Sequence, residues 1–154
     1  MSRPLLAILF GALAAYLAFH SDPSWAGTAP VPSTTGALRV VVSDVRSSAG
    51  LVRVDVCPES DFLKACRFGA AAPARKGETI VIVPGLPPGE YAVQAYHDGN
   101  DNHQLDRNII GVPTEEVGFS KDPTIRFRAP SFKSAAFNYS GGDQTIELRL
   151  RHLP

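Results

Sequence analysis

The chain predicts an all-β fold, an antiparallel sandwich of about seven strands. Three observations carry that expectation. Short β-branched runs alternate apolar and polar residues with a period of two, and turns rich in Pro and Gly separate them. No convincing long amphipathic helix follows the N-terminal apolar segment.

That segment comes first in the chain. Arg3 precedes an unbroken apolar run from Leu5 to Phe19, and Ser24 and Ala26 have the small-residue spacing of a signal-peptidase site. Residues 1–26 therefore read as a cleaved signal peptide, because a membrane span needs about 20 apolar residues and this run is shorter. No Cys stands near the cleavage region, which argues against a lipoprotein anchor. The expected location is periplasmic or secreted, with no membrane span after cleavage. Residues 27–36, rich in Pro, Ser and Thr, read as a flexible leader, and residues 37–154 as one domain.

The strands follow in order. Leu38, Val40 and Val42 alternate with Arg39, Val41 and Ser43, and Val52, Val54 and Val56 alternate with Arg53, Asp55 and Cys57. The Ser-Ser-Ala-Gly segment between them predicts an antiparallel hairpin. Asp61 to Arg67 suits a helical turn with Phe62 packed inward, and Gly69 to Lys76 reads as irregular. Thr79–Val83 is a third strand, and the turn Pro84–Gly89 leads into a fourth, Glu90–His97. In the fourth, Tyr91, Val93 and Ala95 share one face, while Ala92, Gln94 and Tyr96 share the other. Ile125–Arg128 suits a short strand, and in Gln144–Arg151 the residues Ile146, Leu148 and Leu150 face inward.

Charge and cysteine content exclude several classes. Fifteen basic and fifteen acidic residues balance, and cleavage removes one of each, Arg3 and Asp22. A neutral chain is a poor nucleic-acid binder and has no purely electrostatic hold on an anionic membrane. Cys57 and Cys66 are the only cysteines, and an even pair in an exported chain reads as a disulfide. The competing readings are a metal site or a redox pair, but the spacing is not C-x-x-C and no His lies between them.

The 27 residues from Asp98 to Thr124 have little regular pattern, and so long a loop in one domain is usually functional or held by something. It opens with oxygen-bearing side chains at alternate positions: Asp98, Asn100 and Asn102. With the Gln104 carbonyl and the Asp106 carboxylate they outline a Ca²⁺ loop, since that ion takes six to eight oxygens at roughly 2.3–2.6 Å. The pattern departs from an EF-hand at His103, where Gly is usual, and at Ile109, where a bidentate Glu is usual. Any such site should be weak, or completed by Glu115 or Glu116. The alternative is a polar turn whose Asn and Asp side chains cap their own backbone.

Other chemistry is thin. His97, His103 and His152 raise a Zn²⁺ or Cu²⁺ reading, with Asp98 as a third ligand to the first two. Asp98 with Asp106, or Glu115 with Glu116, are the candidate carboxylate pairs for glycoside hydrolysis. Ser120 lies in Gly-Phe-Ser, which is not a nucleophile elbow, and no cysteine is free.

The run Pro87-Pro-Gly-Glu-Tyr-Ala-Val-Gln-Ala-Tyr-His-Asp98 joins Asn100, Asn102 and Asp106, then Ile110-Gly-Val-Pro-Thr-Glu115 and Gly118-Phe-Ser120. With Ala129-Pro-Ser-Phe132 and Ala135-Ala-Phe137, this pattern resembles the bacterial family named domain of unknown function 2141. The likeness runs from about Leu38 to Arg151 and departs from the family at His103, where the family's loop has Gly. It implies an Ig-like or transthyretin-like sandwich, similar to carboxypeptidase-regulatory domains, which serve as accessory or binding modules. Some surface-protein B-type domains that share the Pro-Gly-x-Tyr segment bind Ca²⁺ in comparable loops.

In the same segment Gly111 and Pro113 would shape the loop's return, Gly118 would relieve its backbone, and Phe119, Phe132 and Phe137 would anchor it. The sequence thus leads to a non-catalytic, exported binding or accessory module of the cell envelope, with an unidentified envelope ligand or protein as partner. A small hydrolase using the loop carboxylates and a purely structural envelope protein are the rivals.

Overall fold

The computed structural model describes residues 36–125 and 128–153, and the alternating runs are strands in it. Eight strands and one short helix follow one another: β1 (Ala37–Val45), β2 (Leu51–Cys57), β3 (Phe68–Pro73), β4 (Gly77–Pro84), β5 (Gly89–Asp98), β6 (Val117–Phe119), α1 (Phe132–Ala135), β7 (Phe137–Tyr139) and β8 (Gln144–Arg149). One sheet has the order β4-β1-β8; in the other β3-β2-β5-β6 are neighbours and β7 also pairs with β5. The fold is the all-β sandwich that the alternation predicts. Its pairings are antiparallel except for that of β1 with β8, which is parallel.

Between the sheets Leu38, Val40 and Val42 meet Val52, Val54 and Val56, with Val81, Val83, Val93 and Leu148. Each is essentially buried, and an aliphatic side chain so removed from water contributes about 1.5–3 kcal/mol. A second apolar cluster lies on the opposite face of the five-stranded sheet. Phe62, Phe119 and Phe132 pack there edge to face beside Ala92 and Val117. The two faces expected of β5 are thus both covered: Val93 and Ala95 join the inner core, and Ala92 and Tyr96 the outer cluster.

Several expectations are corrected. β1 and β2 do not form a hairpin, because β1 pairs with β4 and β8, and β2 with β3 and β5. At the end of β1, Asp44 takes φ 61°, and the ladder to β4 shifts register between Ser43 and Val45. That kink carries the chain across to the other sheet. The stretch read as irregular from Gly69 contains most of β3, and Asp61–Arg67 forms tight turns instead of a helical one. Phe62 packs on the outer cluster and not into the sandwich.

β6 interrupts the long loop, and Ile125 and Arg128 stand outside any strand, while Arg126 and Phe127 lie outside the described residues. The expected signal peptide, residues 1–26, and leader residues 27–35 also lie outside them. No helix among the described residues is long and apolar enough to cross a membrane.

Candidate functional site

β5 delivers Asp98 to the head of the loop with no exposed surface. Its Oδ1 accepts from the Asn102 N–H at 3.0 Å and its Oδ2 from the His103 N–H at 2.9 Å. Asn100 Oδ1 also accepts from the Asn102 N–H, and Asn102 Oδ1 accepts from the Gln104 N–H. Their amide nitrogens both donate to Asp106, at 2.9 Å to each carboxylate oxygen. Glu115 closes the ring from behind, with its two oxygens accepting from the N–H groups of Gly99 and Asp106.

Asp98, Asn100 and Asn102 cap the loop's own backbone, Gln104 gives its N–H to Asn102, and Asp106 is tied in by the two Asn side-chain amides. His103 does the work of the missing Gly by taking φ 64°, and Asp101 takes φ 56°. Both lie in the left-handed region, which Asp, Asn and His enter more readily than other side chains. The Asp98 and Asp106 carboxylates both accept from Asn102, one from its backbone N–H and the other from its side-chain amide. Burial pushes the Glu115 carboxyl above the usual carboxylate range, against the two N–H groups it accepts from; the nearby Asp106 and Asp98 charges push the same way.

The imidazoles divide. His97 is buried, with Nδ1 3.2 Å from Glu116 Oε2 and Nε2 2.8 Å from the Ala49 carbonyl. His103 Nδ1 lies 2.7 Å from Arg53 Nη1, and His152 lines a separate hollow with Asp44 and Arg46. The three-group cluster found among the described residues is Asp98, Asp101 and His103, with ligand atoms within 4.8 Å of one another. Asp101 has no place in the alternate pattern. Glu115 and Glu116 turn apart, the second toward Arg46 and His97. Ser120 is fully buried, accepting from the Val93 N–H and donating to the Ala135 carbonyl.

Beside this loop is a groove of about 820 Å³ on the outer face of the five-stranded sheet. Cross-strand register builds its floor. Asp55 is opposite Gln94, which is opposite Phe119, and in the next row Arg53, Tyr96 and Val117 are aligned. Gln94 donates to Asp55 Oδ2 and to the Lys64 carbonyl, and accepts from the Leu63 N–H. The Cys57–Cys66 disulfide, with Cα atoms 5.2 Å apart, closes the segment that supplies Leu63 and Lys64. The walls are Leu105 and Ile110–Pro113 from the loop, with Ile125 and Leu153. Burial raises the Asp55 carboxyl above its ordinary range despite the Gln94 hydrogen bond and the Arg53 charge, and it raises the Tyr96 phenol as well.

The expected roles of the later residues hold with one change of reason. Phe119 and Phe132 anchor the outer cluster, and Phe137 joins the inner core. Gly118 serves close approach: a Cβ there would meet the Arg149 carbonyl oxygen at 2.5 Å. Asp55 and Gln94 went unread as a pair: Asp55 belongs to no motif, Gln94 is legible only as part of the β5 run, and only strand register places them together.

Two packed sheets, one of them covered on its outer face by loops, define an all-β sandwich module. The chain belongs to the family described as uncharacterized protein conserved in bacteria (DUF2141), whose model matches residues 40–147, well over half of the chain. No curated protein and no solved structure matches it.

Proposed function

We propose that the protein is an exported, non-catalytic binding or accessory module of the cell envelope, periplasmic or secreted, whose ligand enters the groove over the five-stranded sheet. The groove is the observation that carries this reading. Concave, mostly apolar sites with a few placed polar groups are where small molecules bind, and this one has Leu105, Val112 and Phe119 around Asp55 and Gln94. The ligand class it suits has an apolar body and a donor group for the Asp55 carboxylate. The Cys57–Cys66 disulfide agrees with an exported chain.

The test is thermal melting against a panel of glycans and lipids, repeated with Asp55→Leu. A ligand at one hundred times its dissociation constant should add about 2.7 kcal/mol of stability. Expected is a rise with one class that the substitution abolishes. Silence across the panel would favour a structural role.

We also propose that the Asp98–Asp106 loop is a weak Ca²⁺ site, formed by Asp98, Asn100, Asn102, the Gln104 carbonyl and Asp106. Its support is the turn that draws the two carboxylates together. Melting in EDTA and then in millimolar Ca²⁺ or Mg²⁺ tests it, and a Ca²⁺-specific rise lost in Asp106→Ala is the expected result. An unchanged melt would leave these side chains as backbone caps alone.

A further inference from the structure

The loop's far end carries a feature that the cation site does not need and that the groove uses only in part, since Ile110 flanks the groove and Ile109 does not line it. Ile109 and Ile110 stand at its tip, 104% and 78% exposed. Two adjacent aliphatic side chains left wholly in water gain the fold nothing. They are also held rigidly. Arg107 bridges to Pro113, Gly111 turns the chain at φ 84°, and Asn108 organises the rest. The Asn108 N–H donates to the Val112 carbonyl, Gly111 N–H to the Asn108 carbonyl, and Asn108 Oδ1 accepts from the N–H groups of Ile110 and Val112.

We infer that the Arg107–Pro113 hairpin is a docking tip for an anionic lipid surface, which Ile109 and Ile110 penetrate. Three observations favour lipid over a protein partner. The tip is exposed and aliphatic, without the Trp, Tyr or buried Arg anchors that dominate protein interfaces. Its N–H groups at Asn108, Ile110, Gly111 and Val112 are satisfied within the hairpin, so dehydration strands few polar groups.

The groove at its foot has more basic than acidic lining groups in a chain that is neutral overall, with Asp106 and Glu115 flanking the hairpin in sequence. Lys64, Arg107 and Arg128 line the groove at the tip's base against one carboxylate, Asp55. None of the three basic groups has a carboxylate partner among the described residues. Apolar insertion and attraction to anionic headgroups together make a peripheral membrane contact, which neither supplies well alone.

The chain's single Trp, Trp25, allows a local reporter. In the full chain carrying Trp25→Phe and Ile109→Trp, the only indole is at the tip, so the N-terminal apolar run cannot produce the signal. Vesicles of phosphatidylcholine with phosphatidylglycerol should shift its emission to the blue, and acyl chains brominated near their ends should quench it. Pure phosphatidylcholine should give a smaller shift. Lys64→Glu with Arg128→Glu, added to the reporter chain, should lower the apparent affinity several-fold, as should added salt. Since Ile109 is fully exposed, the reporter should melt like the parent.

Emission that stays at the water-exposed position with both vesicles overturns the inference. Equal shifts in neutral and anionic vesicles overturn its anionic part. A blue shift that grows with protein concentration in the absence of lipid would assign the tip to a second copy of the chain and overturn it as well.

Discussion

The Ser120 hydroxyl stands between two buried backbone groups, accepting from the Val93 N–H and donating at 2.6 Å to the Ala135 carbonyl. Ser120→Ala leaves both groups without a partner, at about 1–3 kcal/mol each, so a loss of roughly 2–4 kcal/mol is expected in urea unfolding with an unchanged slope. A loss below about 0.5 kcal/mol would mean that water replaces the hydroxyl. Asp55 acts in the opposite sense. Its folded-state carboxyl titrates above the unfolded one, so between the two values the native state holds a proton that the unfolded chain has released. Stability then falls as pH rises through that window, beginning near the ordinary carboxylate value of about 4. Asp55→Asn should flatten this part of the profile and melt higher than the parent at neutral pH. A mutant curve parallel to the parent's would refute the assignment.

At the scale of elements, the loop and its neighbours are held by few fastenings. Glu115 alone caps the Gly99 and Asp106 amides from outside the turn, so Glu115→Ala should speed hydrogen exchange at these two amides while amides in β2 keep their protection. Uniform acceleration would show instead a global loss of stability. Reduction of Cys57–Cys66 should cost about 2.5–3 kcal/mol on the chain-entropy account and free the segment that Gln94 holds.

Much of this scale was legible in the sequence. β1, β2 and β8 alternate branched and polar side chains, and the oxygen spacing from Asp98 to Asn102 reads directly as a self-capped polar turn. β3 was not, because Phe-Gly-Ala-Ala-Ala-Pro has almost no contrast between its faces. Nor was the partner of β1, since an inward Val looks the same in a hairpin as in a strand of the opposite sheet. The Asp55–Gln94–Phe119 row depends on register across three strands, and an apolar pair such as Ile109-Ile110 ordinarily signals burial, not display.

Over the whole molecule, the parallel pairing of β1 with β8 joins Leu38 to Gln144 and Ser43 to Arg149. Contacts between such distant parts of the chain require closure of long loops, which slows folding. Refolding of the oxidised protein should therefore take milliseconds to seconds. Leu148→Ala, near the end of β8 and buried, should cost about 2–5 kcal/mol at equilibrium. If β8 docks only after the rate-limiting step, nearly all of that loss will be found in faster unfolding, as a stopped-flow chevron would show.

The same pairing has a consequence for a chain that is still being made. When Tyr139 has just been added, β1 can already lie along β4, but its other edge has no strand to pair with. The three-stranded sheet is completed only when β8 arrives, after the rest of the described fold has been synthesised. Until then the growing chain displays an open, hydrophobic strand edge, the kind of surface that chaperones bind and that other chains can pair with. Its last strand works as a clasp, and a ribosome that stalls before β8 would release a product that cannot close.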